Sequence, residues 1–423
     1  MSLNLKNFIA DLEELVSINS EKASAKKGMP FGKNNSLALS KFIDVAKRMG
    51  FSPINHDNYL AEFSVGDGEE IGIIGHLDVV PVGSGWNTHP FTLTKIDNVY
   101  YGRGVHDDKG PTLLALYALK DVVDSGVSFK RKIRFFAGTN EESGWEDIEY
   151  FKNVGGTFPK YGFSPDGNFP LSYAEKGIYP TEFTIPAFEK FSNLKGGLAL
   201  NAVCDYATVK PLFTPNKADL DKFGLSFDGE VIISKGVSAH GSTPRLGVNA
   251  FKAIFEYMLS VGERVQNVYD CLFNDKHGVF KMVSEQGEVT LSPNVITSEK
   301  NVVKILCDVR VPAPFTQEQL KQKFNEFELQ YTMQETHPPM LVEKEGWFVQ
   351  TLLNAYNTVT KQNAKPISMG GSTYARAFEM GCAFGAGFPN ANNGAHEPNE
   401  HFSEEEMLLT YEIYKNAILN LVK

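Results

Sequence analysis

The chain has 423 residues, more than one ordinary domain, so two domains are expected. Hydrophobic residues make up 42% and charged residues 22%, the balance of a globular protein in water. The formal net charge is −10 with no long basic run, which argues against nucleic acid, and no stretch approaches the ~18 apolar residues that span a membrane.

Asn4 to Val16 is amphipathic, with Phe8, Leu12, Leu15 and Val16 on one face, and predicts a packed helix rather than a signal peptide. Ile71, Ile73 and Ile74 predict a buried strand of the parallel-sheet kind, closed by Gly75-His76-Leu77-Asp78. Gly102-Arg103-Gly104 leads to Asp107-Asp108-Lys109-Gly110-Pro111, an acidic pair on a glycine-rich bend. A helix follows, with Leu113, Leu114, Tyr117, Ala118 and Val122 in period and Pro111 in its first turn. A second strand, Lys132 to Gly138, runs into Glu141-Glu142, and Gly162-Phe163-Ser164-Pro165-Asp166 puts another acid on a turn.

Farther on, Gly229 to Ser234 predicts a strand, followed by a loop with His240 and a helix presenting Phe251, Phe255, Met258 and Leu259. Val303, Ile305, Cys307 and Val309 alternate as a strand ending at Arg310, completing a β-α-β pattern suited to a small inserted domain. A helix carrying Phe348, Leu352 and Tyr356 and a loop with His396 come next. The last helix shares Met407, Tyr411, Tyr414, Ile418 and Leu421 on a face and is capped by Ser403 with Glu406. Cys204, Cys271, Cys307 and Cys382 form no C-x-x-C pair and read as buried free thiols, which makes a reducing cytoplasm the expected compartment.

Taken singly, each acid or histidine has an ordinary reading as a turn, cap or strand-end residue. Together, five clusters follow apolar runs or glycine-rich bends, and adjacent acids after a buried strand are costly unless paired or bound to cations. Carboxylate and imidazole without thiolate suit zinc, manganese or cobalt at a hydrolytic site.

These motifs, with Val237-Ser238-Ala239-His240-Gly241 and Gly370-Gly371-Ser372-Thr373, resemble the dinuclear zinc aminopeptidase and carboxypeptidase superfamily that includes aminoacylase and glutamate carboxypeptidase. Within it, Glu141-Glu142-Ser143-Gly144-Trp145 and Phe163-Ser164-Pro165-Asp166 are most similar to the PepV-type bacterial dipeptidases. The resemblance runs from about Leu5 to the C-terminus. It implies an α/β fold: a zinc-peptidase-like catalytic domain, with a mixed central sheet flanked by helices, from residues 1–176 and 338–423. An α+β lid domain is inserted at 177–337.

The resemblance also implies roles. His76 and Asp166 would bind one divalent ion, Glu142 and His396 a second, and Asp107 both; the ions would be zinc, with manganese or cobalt as alternatives. Asp78 would orient His76, and Glu141 would be the general base. His240 would stabilise the oxyanion and Arg310 would clamp the substrate carboxylate. Asn201, Ser372 and Thr373 would line the substrate pocket, and His56, His89, His106, His277, His337 and His401 would be structural. The expected activity is hydrolysis of dipeptides with a free amino terminus. Alternatives are N-acyl amino acids, succinylated diaminopimelate or tripeptides. A small peptide is the expected partner, with a monomer favoured over a homodimer: the lid falls between the enlarged lid of PepV-type enzymes, which delivers the histidine within one chain, and the small lid of relatives that dimerise and borrow it.

Overall fold

The isoleucine run becomes the strand Glu69–His76, and its neighbour Arg131–Gly138 lies parallel to it with Ile71 opposite Ile133 and His76 opposite Gly138. Both strands are covered on two faces, so they read as continuous apolar runs. Ile71, Ile73, Ile74, Phe135 and Phe136 are all fully buried, each contributing roughly 1.5–3 kcal/mol relative to exposure. A computed structural model describes residues 2–334 and 336–423. In it the chain forms two compact units, one holding the chain up to Tyr173 with Val342–Ile367 and Thr373–Lys423, the other Ala174–Leu341 with Ser368–Ser372.

The first unit has a mixed sheet. Its strands lie in the order Ile54–His56, Leu60–Val65, Arg131–Gly138, Glu69–His76, Tyr161–Ser164 and Met380–Ala383. Arg131–Gly138, Glu69–His76, Tyr161–Ser164 and Met380–Ala383 are mutually parallel, and Leu60–Val65 is antiparallel to its neighbour. The ends of Glu69–His76, Arg131–Gly138 and Tyr161–Ser164 therefore open on one edge, where the acid and imidazole motifs emerge.

Helices flank the sheet. Leu5–Val16 is capped by the Asn4 side chain, which accepts from the Asn7 N–H, and buries Phe8, Leu12, Leu15 and Val16. Glu404–Leu421 starts with the expected capping box of Ser403 and Glu406 and packs on Lys109–Asp124 and Trp347–Thr360. Lys109–Asp124 begins directly after the acidic pair and approaches the sheet closely at Gly75. A Cβ there would stand 1.8 Å from Thr112 Oγ1, so only glycine fits.

The second unit is an antiparallel sheet carrying helices. Strands Ser226–Phe227, Ile232–Lys235, Tyr206–Pro211, Phe191–Gly196, Thr290–Ser298, Val302–Val311, Thr181–Pro186 and Gln330–Met333 follow in that order. Helices Ala250–Ser260 and Gln266–Leu272 contribute Phe251, Ile254, Phe255, Met258 and Leu272 to its core. Here the β-α-β expectation differs from the structure: Ile232–Lys235 and Val302–Val311 are not neighbours, because three strands lie between them. The strand expected from Gly229 also starts later, at Ile232. Asp228 Oδ1 accepts the N–H groups of Glu230 and Val231 and holds those residues in a turn. All four cysteines are free and buried, and no helix is long and apolar enough to cross a membrane among the described residues.

Candidate active site

His76 ends its strand fully buried, its ring held from both sides. The backbone carbonyl of Asp78 lies 3.0 Å from Nδ1, and Nε2 points at Asp107 Oδ1, 3.1 Å away, with Asp166 Oδ2 at 3.8 Å. The other oxygen of Asp107 faces a second imidazole: Oδ2 is 3.0 Å from His396 Nε2, which is itself 3.2 Å from Glu142 Oε2. Asp107 thus stands between two imidazoles drawn from opposite ends of the chain. His76, Asp107 and Glu142, and likewise His76, Glu141 and Asp166, place candidate donor atoms within 4.8 Å of one another. Both groups lie in the first unit.

The loops bearing these groups are themselves pinned. Asp78 accepts the N–H groups of Glu141 (3.0 Å) and Glu142 (3.1 Å) through its two carboxylate oxygens. Its carboxylate therefore aligns the adjacent glutamates, and Oδ1 also lies 3.5 Å from His76 Nδ1, beside the contact made by its own carbonyl, so one acid faces both the ring and the turn. Asp147 holds the same turn through the N–H groups of Thr139 and Asn140, and accepts the Tyr374 hydroxyl. Asp108, joined to Asp107 by a cis peptide bond, accepts the His76 N–H (3.1 Å) and the Thr112 hydroxyl (2.7 Å).

Glu400 was missed by sequence reasoning. It is fully buried; Oε2 accepts Arg103 Nη1 (2.8 Å) and Gly104 N (3.0 Å), and Oε1 accepts His106 N (2.8 Å) and Asp107 N (3.0 Å). One carboxylate thereby accepts from the Arg103 guanidinium and from three N–H groups of the bend that leads to Asp107. Its signal lay in two stretches about 300 positions apart, Gly102-Arg103-Gly104 and His396-Glu397-Pro398-Asn399-Glu400, which nothing local connects. His106 donates its N–H to Glu400, and its ring packs on Phe402 at 4.9 Å, away from the two donor groups.

Packed carboxylates and burial dominate the electrostatics. Burial first, then the charges of Asp166 and Glu142, hold Glu141 well above the usual carboxylate range, and burial with Asp107 does the same to Asp166. Burial opposes the His396 charge, yet Glu142 and Asp107 outweigh it and push the imidazole up to about 12. Asp107, between two imidazoles, is held well below its ordinary value despite burial. Glu141 Oε1 is buried without a hydrogen-bond partner. Four carboxylates, one of them with an orphaned oxygen, and two imidazoles are the donor set that divalent ions satisfy.

Of the remaining candidates, Asn201, His240, Arg310 and Ser372 belong to the second unit and Thr373 to the first. Gly241 N donates to Asn201 O (2.7 Å) and Val203 N to Ala239 O (2.8 Å), so Asn201 runs beside the His240 loop. His240 Nδ1 accepts the Ser242 N–H (3.2 Å) and lies 2.7 Å from the Ser242 hydroxyl, so the neutral ring carries its proton on Nε2. Arg310 is not a solvated strand end: Asp308 binds it bidentately, at 2.6 Å to Nε and 2.9 Å to Nη2, and Nη1 donates to Gly370 O (3.2 Å). Gly241 permits this, since a Cβ there would stand 2.2 Å from Asp308 Oδ2. Ser372 Oγ is shielded from water without a partner, whereas Thr373, expected to line the pocket, uses Oγ1 to accept the Ala375 N–H as a cap.

Residues 72–420 match Peptidase family M20/M25/M40. The chain belongs to that family. It is therefore a hydrolytic enzyme, a peptidase of the M20 type. It is 32% identical over 455 residues to a Staphylococcus epidermidis protein named "Putative dipeptidase", covering 98% of this chain and 97% of the relative. Among solved structures, human carnosine dipeptidase 1 is similar with a TM-score of 0.61 at 15% identity, over 99% of this chain and 96% of that one. A dinuclear metal binding peptidase of the M20 family from Bacillus subtilis superposes with a TM-score of 0.54 at 11% identity, over 99% of both chains. The M20 likeness fits the mixed sheet and helices described above.

Proposed function

We propose that this M20 peptidase is a dipeptidase that cleaves dipeptides with a free amino terminus at a centre of two divalent ions, zinc in the first instance. The observation that carries the reading is the placement of Asp107, one oxygen facing His76 and the other facing His396. His76 and Asp166 would hold one ion, Glu142 and His396 the other, and Asp107 both. Bound there, divalent ions lower the pKa of a water molecule and polarise a scissile carbonyl.

The chain's own groups do the rest. Glu141, its backbone fixed by Asp78, takes the proton of the attacking water on its carboxylate and passes it to the leaving amine. His240, protonated on Nε2, fits a donor to the developing oxyanion. Arg310, its fork set by Asp308, fits the free carboxylate of the second residue. Four buried free thiols support a reducing cytoplasm as the working compartment, and a monomer is the form in which each chain supplies its own His240.

The name carried by the 32%-identical relative supports dipeptides over the other substrates of this chemistry. Metal analysis of the purified protein, beside rates on dipeptides, tripeptides and N-acyl amino acids, tests the reading. About two ions per chain and fastest cleavage of dipeptides are expected. Faster cleavage of acylated substrates, or one ion per chain at saturation, would overturn it.

A further inference from the structure

Between the strand Arg131–Gly138 and the helix Glu146–Asn153 runs the turn that carries Glu141. Its first four N–H groups end on two buried acids: Asp147 Oδ2 takes those of Thr139 (2.8 Å) and Asn140 (3.1 Å), and Asp78 takes those of Glu141 and Glu142. Asn140, itself fully buried, closes the loop. Its carbonyl accepts the Trp145 N–H at 3.0 Å, its side-chain oxygen accepts the Ser143 hydroxyl at 2.8 Å, and its amide donates to Glu146. Glu141 therefore follows a residue whose every polar group is engaged.

Tyr374 reaches this turn from 234 positions beyond Asn140. Its hydroxyl donates to Asp147 Oδ2 and accepts the Asn140 N–H at 3.2 Å, so one oxygen bridges the acid and the turn. The ring is fully buried and forms edge-to-face pairs with His76, centroids 6.2 Å apart, and with Trp145 at 5.5 Å. Gly138 makes room for both partners, since a Cβ there would stand 2.5 Å from Tyr374 Cε2 and 2.7 Å from Asp147 Oδ2. None of the hydrolytic roles proposed above uses Tyr374. It nevertheless packs on the imidazole of one proposed ion ligand and holds the N–H that precedes the proposed base.

We infer that Tyr374 is a positioning residue for proton transfer: through Asp147 and the Asn140 N–H, its hydroxyl fixes where the Glu141 carboxylate lies relative to the attacking water. The inference rests on the reading of Glu141 as the general base. Such a base must stand within roughly 2.6–3.2 Å of the atom whose proton it takes, and a misplacement of about 1 Å costs up to ~10²-fold in rate. Without the hydroxyl, Asp147 still holds the Thr139 and Asn140 N–H groups. It does so with one donor fewer and with the space of an oxygen atom left beside Asn140, so the turn keeps its fold and gains freedom to shift.

Tyr374→Phe keeps the ring and removes only the hydroxyl, and a double-mutant cycle with Glu141→Gln in the zinc-loaded full chain tests the inference. Tyr374→Phe alone is expected to lower kcat on a dipeptide about 10–100-fold, with KM within twofold of the parent and zinc affinity by chelator competition unchanged. In the Glu141→Gln background the same change is expected to lower kcat less than twofold, because residues that act as a unit are not additive. A residue that only supports the fold would lower both rates by the same factor. Near-parental turnover of Glu141→Gln overturns the general-base reading and this inference with it. If Glu141→Gln is slow, three results overturn the inference alone: a Tyr374→Phe kcat within twofold of the parent, an equal loss in both backgrounds, or a rate loss matched by a fall in zinc affinity.

Discussion

Replacing Glu400 by Gln is the sharpest test of how the candidate centre is built. The Arg103 and Glu400 side chains are 1% and 0% exposed, so their 2.8 Å pair has no water to fall back on. Glutamine keeps one acceptor oxygen, which can serve the N–H groups of His106 and Asp107. Its amide then turns two N–H groups toward Arg103 Nη1 and Gly104 N, both donors. Removing one partner of a buried pair costs about 3–5 kcal/mol, a large part of the 5–15 kcal/mol by which domains are stable. At roughly 2–4 °C per kcal/mol for a domain of this size, the melting temperature should fall by about 6–20 °C. Because the Asp107 N–H is one of the groups Glu400 holds, zinc affinity measured by chelator competition should fall with it. Breaking Lys95–Glu404 serves as the control: those side chains are 43% and 23% exposed, so Glu404→Ala should cost under about 1 kcal/mol. A Glu400→Gln protein that melts within 2 °C of the parent and binds zinc equally well would refute the idea that Glu400 sets the Asp107 bend.

Glu141→Gln should keep both ions but lose at least two to four orders of magnitude in turnover, since general base catalysis contributes about 10²–10⁴; near-parental turnover with full metal content would sink the assigned role. Loading the metal-free protein should release protons at pH 7, because Asp166 is held above the carboxylate range and His396 at about 12, and ligands bind deprotonated. Apparent affinity should therefore rise with pH while the number released falls; calorimetry in buffers of different ionisation enthalpy reads this number, and zero at pH 7 contradicts the reasoning. Arg310→Ala should raise KM for a dipeptide far more than it lowers kcat and erase the preference for the free acid over the dipeptide amide, whereas His240→Ala should act mainly on kcat. Steady-state rates on the two substrates decide this, and an intact preference in Arg310→Ala would exclude the clamp.

Much of the first unit could be read from residues alone, for local reasons. An isoleucine run with glycine at its end can hardly be anything but a buried strand, and Ser403 with Glu406 three residues on satisfies the first N–H groups of a helix wherever that helix sits. The chemistry of the centre was local too: acids and imidazoles at strand ends announce the donor types before any partner is known. Partners were another matter. That Asp78 reaches the Glu141–Glu142 backbone as well as His76 depends on how two parallel strands register, His76 opposite Gly138, and no periodicity encodes register between strands. Glu400 reads in the sequence as one more acid in a polar loop, and it becomes the anchor of the Asp107 bend only because packing brings residues nearly 300 positions apart into contact. Arg310 alternates with apolar neighbours like any strand-end cation, and its role as an oriented fork exists only once Asp308, two residues back on the same face, finds room beside Gly241. Side-chain pattern thus determined which elements form and what chemistry they carry. The tertiary structure decided which groups meet, because each such contact depends on the cooperative packing of segments whose separation along the chain leaves no local trace.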